Sequence, residues 1–385
     1  MMDQYIIVGV VGSGAMGAGI AQVAAMAGHQ VVLYDNNATA LEKAKANLTQ
    51  TLQKLQEKGK IPSADDVLNR FSFAGEVSAF AKCGLIIEAI VEKLEIKKAV
   101  FADIEKNVSD TCILASNTSS LSITSIAAAC SRPHNVMGLH FFNPAPLMAL
   151  VEVIPAVQTN PAHIQPAKEL MQRWGKTPVV AKDTPGFIVN RVARPYYGEA
   201  IRMYEEGIAS MEEIDNAMVQ SGGFKMGPFT LMDYIGHDVN YVVTETVFLS
   251  FFYDPRYKPS FSQKRLLEAG WLGRKAGRGF YNYNEPATDK IVDNSNNTQI
   301  VERIVAMLIN EAVDALHLNV ATASDLETAM TKGVNYPKGL LQWCDEWSAA
   351  RCLAILDGLY DTYHEDRYRA SVLLRRHAKE SKRFL

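Results

Sequence analysis

The chain has 385 residues, 48% hydrophobic and 21% charged, with a formal net charge of -3; this is an ordinary globular composition, long enough for two or three domains. Its charge balance excludes broad binding to nucleic acid or an anionic membrane, so any polyanionic ligand must find a local patch. Five cysteines without a CxxC spacing suggest free thiols and no metal cluster, and an N-terminus without a basic leader, in a chain without a bilayer-length apolar run, reads as cytoplasmic.

Residues 5–11 read as a β-rich strand, Gly12-Ser13-Gly14-Ala15-Met16-Gly17 as a glycine loop, and residues 18–27 as a helix. A second apolar strand, Val31–Tyr34, closes on Asp35. In this pattern Gly12 permits a tight turn, Gly14 lets the backbone approach a pyrophosphate, and Gly17 allows close helix packing. The helix N-terminus supplies N–H donors and positive dipole. Asp35 is placed to hydrogen-bond the adenosine ribose and to repel a 2′-phosphate, which selects NAD over NADP; its other reading is a helix cap ahead of Asn36-Asn37.

Residues 38–60 read as a polar helical arm with a partial stripe of Leu41, Leu48, Leu52 and Leu55. Lys54, Lys58 and Lys60 either approach ligand phosphates or belong to a solvated face. After a strand at 71–73, the run 85–93 forms a buried strand that ends in charge. Ligands of open α/β sheets bind beyond such strand ends, so Glu92 and Lys97 are candidates for the ribose and nicotinamide side, or ordinary helix-start charges. The strand at 112–115 leads into Ser116-Asn117-Thr118-Ser119-Ser120, which has more hydroxyls than a helix cap uses; Ser119 is therefore a candidate to orient a substrate oxygen.

The strand 136–142 carries His140 between glycine and phenylalanines, and the run 150–154 carries Glu152. If the proline-containing turn folds the second strand beside the first, the carboxylate accepts the imidazole N–H and the pair becomes a base with its orienter. A satisfied core histidine is the alternative. A last strand at 177–180 precedes Asp183-Thr184-Pro185-Gly186, the expected domain boundary, and helices follow. Asn190, near the first turn of that region, is either a packing or cap amide or a substrate contact. Gly273, Gly277 and Gly279 suggest a loop and not a phosphate cradle, since no strand precedes them.

Beyond a polar linker around Asn294, the chain repeats itself at an offset of about 112 residues: Arg191 with Arg303, Glu199-Ala200 with Glu311-Ala312, Ala217-Met218 with Ala329-Met330, and Gly227 with Gly339. Glu302 stands where the first copy has Asn190, so the second copy reads as a packing partner. The expected architecture is an α/β Rossmann-type domain at 1–184, with a mostly parallel doubly wound sheet, followed by two tandem all-α domains at 185–284 and 298–385 related by internal duplication. Such a pair can replace part of a dimer interface, and a homodimer stays open.

With these motifs in place, the chain resembles the 3-hydroxyacyl-CoA dehydrogenase family, and within it the bacterial tandem-domain members acting on 3-hydroxybutyryl- or 3-hydroxyadipyl-CoA. The likeness rests on residues 10–17, on Glu88-Ala89-Ile90-Val91-Glu92 with Lys97, on 116–121, on Leu139-His140-Phe141-Phe142-Asn143-Pro144, and on 183–191. It implies NAD as cofactor, held by Gly12, Gly14, Met16, Gly17, Asp35, Ile90, Val91, Glu92, Lys97, Ser119 and Asn143. By the same resemblance His140 is the base, Glu152 its partner, and Ser119 and Asn190 the substrate-orienting pair; Lys54 of the polar arm, read from the residues alone, is a further candidate substrate contact. The implied reaction is oxidation at C3 of a short acyl-CoA in fatty-acid or aromatic-acid degradation, without nucleic acid or membrane partners. No hydratase module precedes the cofactor loop, so one reaction is expected. A dehydrogenase of free hydroxy or sugar acids, and a non-catalytic NAD-binding interaction protein, are the other readings.

Overall fold

The computed structural model describes residues 6–285 and 295–385. Tyr5, the expected start of the first strand, and Asn294 of the linker lie outside the described residues. Two compact units divide the chain, Met1–Thr184 and Pro185–Leu385.

In the first unit, β1 (Ile7–Val11), β2 (Val31–Tyr34), β3 (Phe71–Ala74), β4 (Cys83–Glu88), β5 (Ile113–Ser116), β6 (Val136–Phe141), β7 (Leu150–Pro155) and β8 (Thr177–Val180) make one sheet. Its order is β3-β2-β1-β4-β5-β6-β7-β8. The first six strands run parallel, and their apolar, β-branched sequences suit burial on both faces. Val8, Val10, Leu33, Leu85 and Ile87 join Ile20, Leu48 and Leu52 of the flanking helices in one core. The strand order reverses between β1 and β4, which opens the crevice where ligands of such sheets bind.

The direction changes at β7. The segment between Phe141 and Leu150 is too short for a crossover helix, so β7 returns antiparallel beside β6. β8 then runs parallel to β7. This hairpin register sets His140 directly opposite Glu152.

The second unit is helical, and both copies of the repeat pack within it. The Asn297–His317 helix buries most of its residues, among them Ile304, Leu308, Ala312 and Val313, against the Arg194–Glu205 and Met211–Gln220 helices. Paired buried ions cross between the copies: Arg191 Nε lies 2.6 Å from Glu311 Oε1, and Arg303 Nε lies 3.0 Å from Glu199 Oε2. The tyrosines repeat too, since Tyr257 donates to Glu311 and Tyr368 to Glu199. Helix starts are capped alike: Asp215 accepts from the amides of Phe229 and Thr230, and Glu327 from those of Leu341 and Gln342. Among the described residues no helix is long and apolar enough to cross a membrane.

Candidate active site

The glycine loop sits at the strand-order reversal. Gly12 donates to the Tyr34 carbonyl at 2.8 Å, which ties the loop to the end of β2. Its φ of +98° is a glycine conformation, and a Cβ there would lie 2.7 Å from the Ala89 carbonyl oxygen. At Gly17 a Cβ would stand 1.8 Å from the Gly12 oxygen; helix and loop pack that closely. Gly14 differs, because nothing lies within 4 Å of its Cβ position and the Ala15–Met26 helix behind it has no side-chain cap. Those uncapped first-turn amides fit an anionic diphosphate. Met16 is half-buried on this helix.

Asp35 faces the same loop. Its Oδ2 accepts from Ser13 N at 2.8 Å and Ser13 Oγ at 2.7 Å, and its Oδ1 from Asn37 N at 2.9 Å. Burial opposes ionisation, but these bonds outweigh it and hold the carboxyl below its ordinary value. The cap of the following helix is Asn37, whose side chain accepts from Ala40 N. Asp35 is thus left to the loop, and Ser13, unremarked in the sequence, orients it.

Past β4 lies an ionic cluster in which Lys97 and Glu88 are buried and Glu92 is exposed. Lys97 is 1% exposed, with Nζ 2.6 Å from Glu88 Oε1 and 3.3 Å from Glu92 Oε2. Ser116 Oγ donates to Glu88 at 2.6 Å, while Thr118 Oγ1 and Ser119 N donate to Glu92 at 2.6 and 3.0 Å. Burial again opposes ionisation of Glu92, and Lys97 with these hydrogen bonds prevails, holding it below its ordinary value. Glu92, Lys97 and Ser119 therefore form one constellation, as a shared ligand surface requires. Lys97 serves it from inside, while Val91 is more than half exposed beside half-buried Ile90. Glu88 opens the segment that carries the family resemblance, which assigns it no role of its own; its signal in the residues is an acid in an otherwise apolar strand.

At the end of β6, His140 Nδ1 lies 2.6 Å from Glu152 Oε2, with the carboxylate fully buried. The imidazole packs 4.5 Å from the Phe142 ring. Asn117 fixes this strand end to β5, its Oδ1 accepting from Phe141 N at 2.7 Å. Asn143, next in the chain, is exposed and precedes a cis proline.

Immediately after, Pro144, Pro146 and Leu147 line a cavity of about 590 Å³. Thr51 and Leu55 of the Ala38–Glu57 helix form another side, and Arg173, Trp174 and Lys176 a third. Lys54 is exposed on that helix and is not among the lining residues. Asn190 belongs to the second unit, where it is half-buried in the Val189–Val192 turn. Its counterpart Glu302 pairs with Arg351. Among the described residues no group of three or more metal-ligating side chains is present.

Comparison with known proteins identifies the family to which the chain is similar. Residues 7–184 match the domain described as 3-hydroxyacyl-CoA dehydrogenase, NAD binding domain, and residues 186–283 and 300–383 each match the C-terminal domain of that description. The chain is 38% identical to the 3-hydroxyadipyl-CoA dehydrogenase of Escherichia coli strain K12, over 98% of each chain. A crystal structure of 3-hydroxybutyryl-CoA dehydrogenase from Escherichia coli K12 superposes with a TM-score of 0.92 at 38% identity, covering 98% of both chains. A (S)-3-hydroxybutyryl-CoA dehydrogenase structure from Ralstonia eutropha is also 38% identical, with a TM-score of 0.70; it matches over 73% of this chain and 100% of its own.

Proposed function

Since the chain belongs to the 3-hydroxyacyl-CoA dehydrogenase family, whose members are NAD-dependent oxidoreductases, we propose that it oxidises the C3 hydroxyl of short L-3-hydroxyacyl-CoA thioesters reversibly to the 3-keto form. The observation that carries this reading is the cross-strand His140–Glu152 pair at 2.6 Å. Glu152 holds Nδ1, so proton exchange with substrate falls to Nε2, and the carboxylate stabilises the imidazolium once the hydroxyl proton is taken. Ser119 orients the C3 oxygen, which fixes the direction in which C3 presents its hydrogen; Asn190 is the candidate substrate contact of the helical unit. When bound, NAD supplies the hydride acceptor. Gly12, Gly14, Met16 and Gly17 hold its diphosphate, Asp35 its adenosine ribose, and Ile90, Val91, Glu92 and Asn143 its nicotinamide side, with Lys97 ordering that segment from within.

The cavity beside Pro144 suits the pantetheine arm of a thioester, being largely apolar with Arg173 and Lys176 at one side. NADH formation is the test, measured with L-3-hydroxybutyryl- and 3-hydroxyadipyl-CoA, their D-isomers and the free acids. Turnover of the L-thioesters alone is expected. Equal turnover of free hydroxy acids, or none of any thioester, overturns the proposal.

A further inference from the structure

The ionic cluster past β4 does not balance. Two carboxylates, Glu88 and Glu92, share one ammonium, Lys97, whose Nζ lies 2.6 Å from the first and 3.3 Å from the second. Glu88 and Lys97 are both buried, so their charges cancel inside the fold, out of reach of solvent screening. One negative charge remains, and it falls to Glu92, the member that reaches the surface. The other partners of the cluster do not neutralise it, because Ser116, Thr118, Ser119 and Ser120 are uncharged donors. Lys97 and these bonds hold Glu92 below its ordinary value, which keeps it ionised at neutral pH. Of the charges next along the chain, Glu95 pairs with Lys98, and Lys93 is exposed, where salt screens it.

Glu88 decides the sign. Its Oε1 accepts from Ile90 N at 2.7 Å and from Lys97 Nζ, and its Oε2 from Ser116 Oγ at 2.6 Å. One buried carboxylate thus ties the end of β4 to the hydroxyl loop and to the Leu94–Glu105 helix. A neutral side chain of the same shape at this position keeps most of those bonds but leaves Lys97 to Glu92 alone, and the cluster then sums to zero.

A nicotinamide ring carries a formal positive charge before it accepts hydride and none afterwards. A fixed negative charge beside it therefore stabilises one state of the cofactor and leaves the other almost untouched. We propose that the Glu88–Lys97–Glu92 cluster weights the site toward the oxidised cofactor, with Glu88 setting the sign by cancelling Lys97 from within. The inference rests on the placement proposed above, in which Ile90, Val91 and Glu92 lie on the nicotinamide side. It goes past that placement, since contact alone does not distinguish NAD from NADH.

The test is calorimetric titration of the whole chain with NAD and with NADH, which gives the ratio of their dissociation constants in the wild type, Glu88→Gln and Glu88→Asp. In Glu88→Gln the affinity for NAD is expected to fall relative to that for NADH by about 3–10-fold, the worth of one partly screened unit charge. Glu88→Asp keeps the charge on a shorter side chain, so its ratio is expected to stay at the wild-type value even where both affinities drop. Equal weakening of both forms in Glu88→Gln is the mark of a purely structural role and overturns the inference, as does an unchanged pair of affinities. Should Glu88→Gln not fold, Glu92→Gln decides, because it removes the same charge from the exposed end: a lost ribose contact weakens both forms alike, and only the charge moves their ratio. An unmoved ratio there overturns the inference, while turnover of the L-thioesters by the wild type leaves the dehydrogenase reading standing. A wild-type chain that binds neither form overturns the cofactor placement, and the inference with it.

Discussion

His140 and Glu152 owe their contact to strand register. Antiparallel partners directly opposite each other bring side chains together on one face, and a shift of one residue would send Glu152 to the other face of the sheet. The energetic context then sharpens the pair's chemistry, because a fully buried carboxylate is tolerable only when a partner satisfies it. His140→Gln is expected to lower kcat about 10²–10⁴-fold, the usual range for general acid–base catalysis, with NAD affinity retained. Glu152→Gln should lower kcat as well. The double variant should cost little more than His140→Gln alone, since the two residues act as one unit. Steady-state kinetics of the three variants, with calorimetric NAD titration as a check on folding, measure this; near-normal turnover by His140→Gln removes it as the base.

At the scale of elements, the strands, the glycine loop and the His140 hairpin were legible because periodicity and turn residues are local signals. The pairing of Glu88 with Lys97 was not, for it depends on how the Leu94–Glu105 helix docks against β4, and spacing along the chain does not encode that docking. The Glu92 loop yields a pH prediction. A carboxyl held below its ordinary value contributes stability in full above that value, and the contribution disappears as pH falls through the depressed one. Glu92→Gln should therefore lower Tm at pH 7 and show a shrinking deficit toward pH 3, by calorimetry; a deficit independent of pH refutes the linkage. The glycines at 273 and 279 find their reason in Asp233. Its carboxylate accepts from the amides of Phe280 and Tyr281, both at 2.9 Å, and from Tyr283 at 3.1 Å. A Cβ on Gly279 would stand 2.1 Å from Asp233 Oδ1. Gly279→Ala should cost about 1–3 kcal/mol, the range for overpacking a filled site, read from urea denaturation. An unaffected midpoint shows that the loop is not held this way.

For the whole molecule, the duplication has a mechanical meaning in the buried ions of the helical unit. Arg191 meets Glu311, the repeat equivalent of Glu199, and Arg303 meets Glu199 itself. The first copy thus carries both halves of a self-complementary contact, Arg191 and Glu199, and twofold pairing with an identical copy would form each bond twice. The Asn297–His317 helix occupies that face in this chain. Relatives such as the Ralstonia eutropha protein match 73% of this chain over their full length, so a chain without the second copy is a viable fold. A chain truncated after residue 285 opens to water the apolar face that the Asn297–His317 helix covers and leaves Arg191 and Glu199 without their partners, at a cost in lost burial. It should relieve that cost by forming a homodimer, seen by sedimentation velocity. Arg191→Glu in the truncated chain should return it to monomer, and Arg191→Glu with Glu199→Arg should restore the dimer with the charges exchanged. A truncated chain that is folded and monomeric at micromolar concentration would show that the second copy fills some other need.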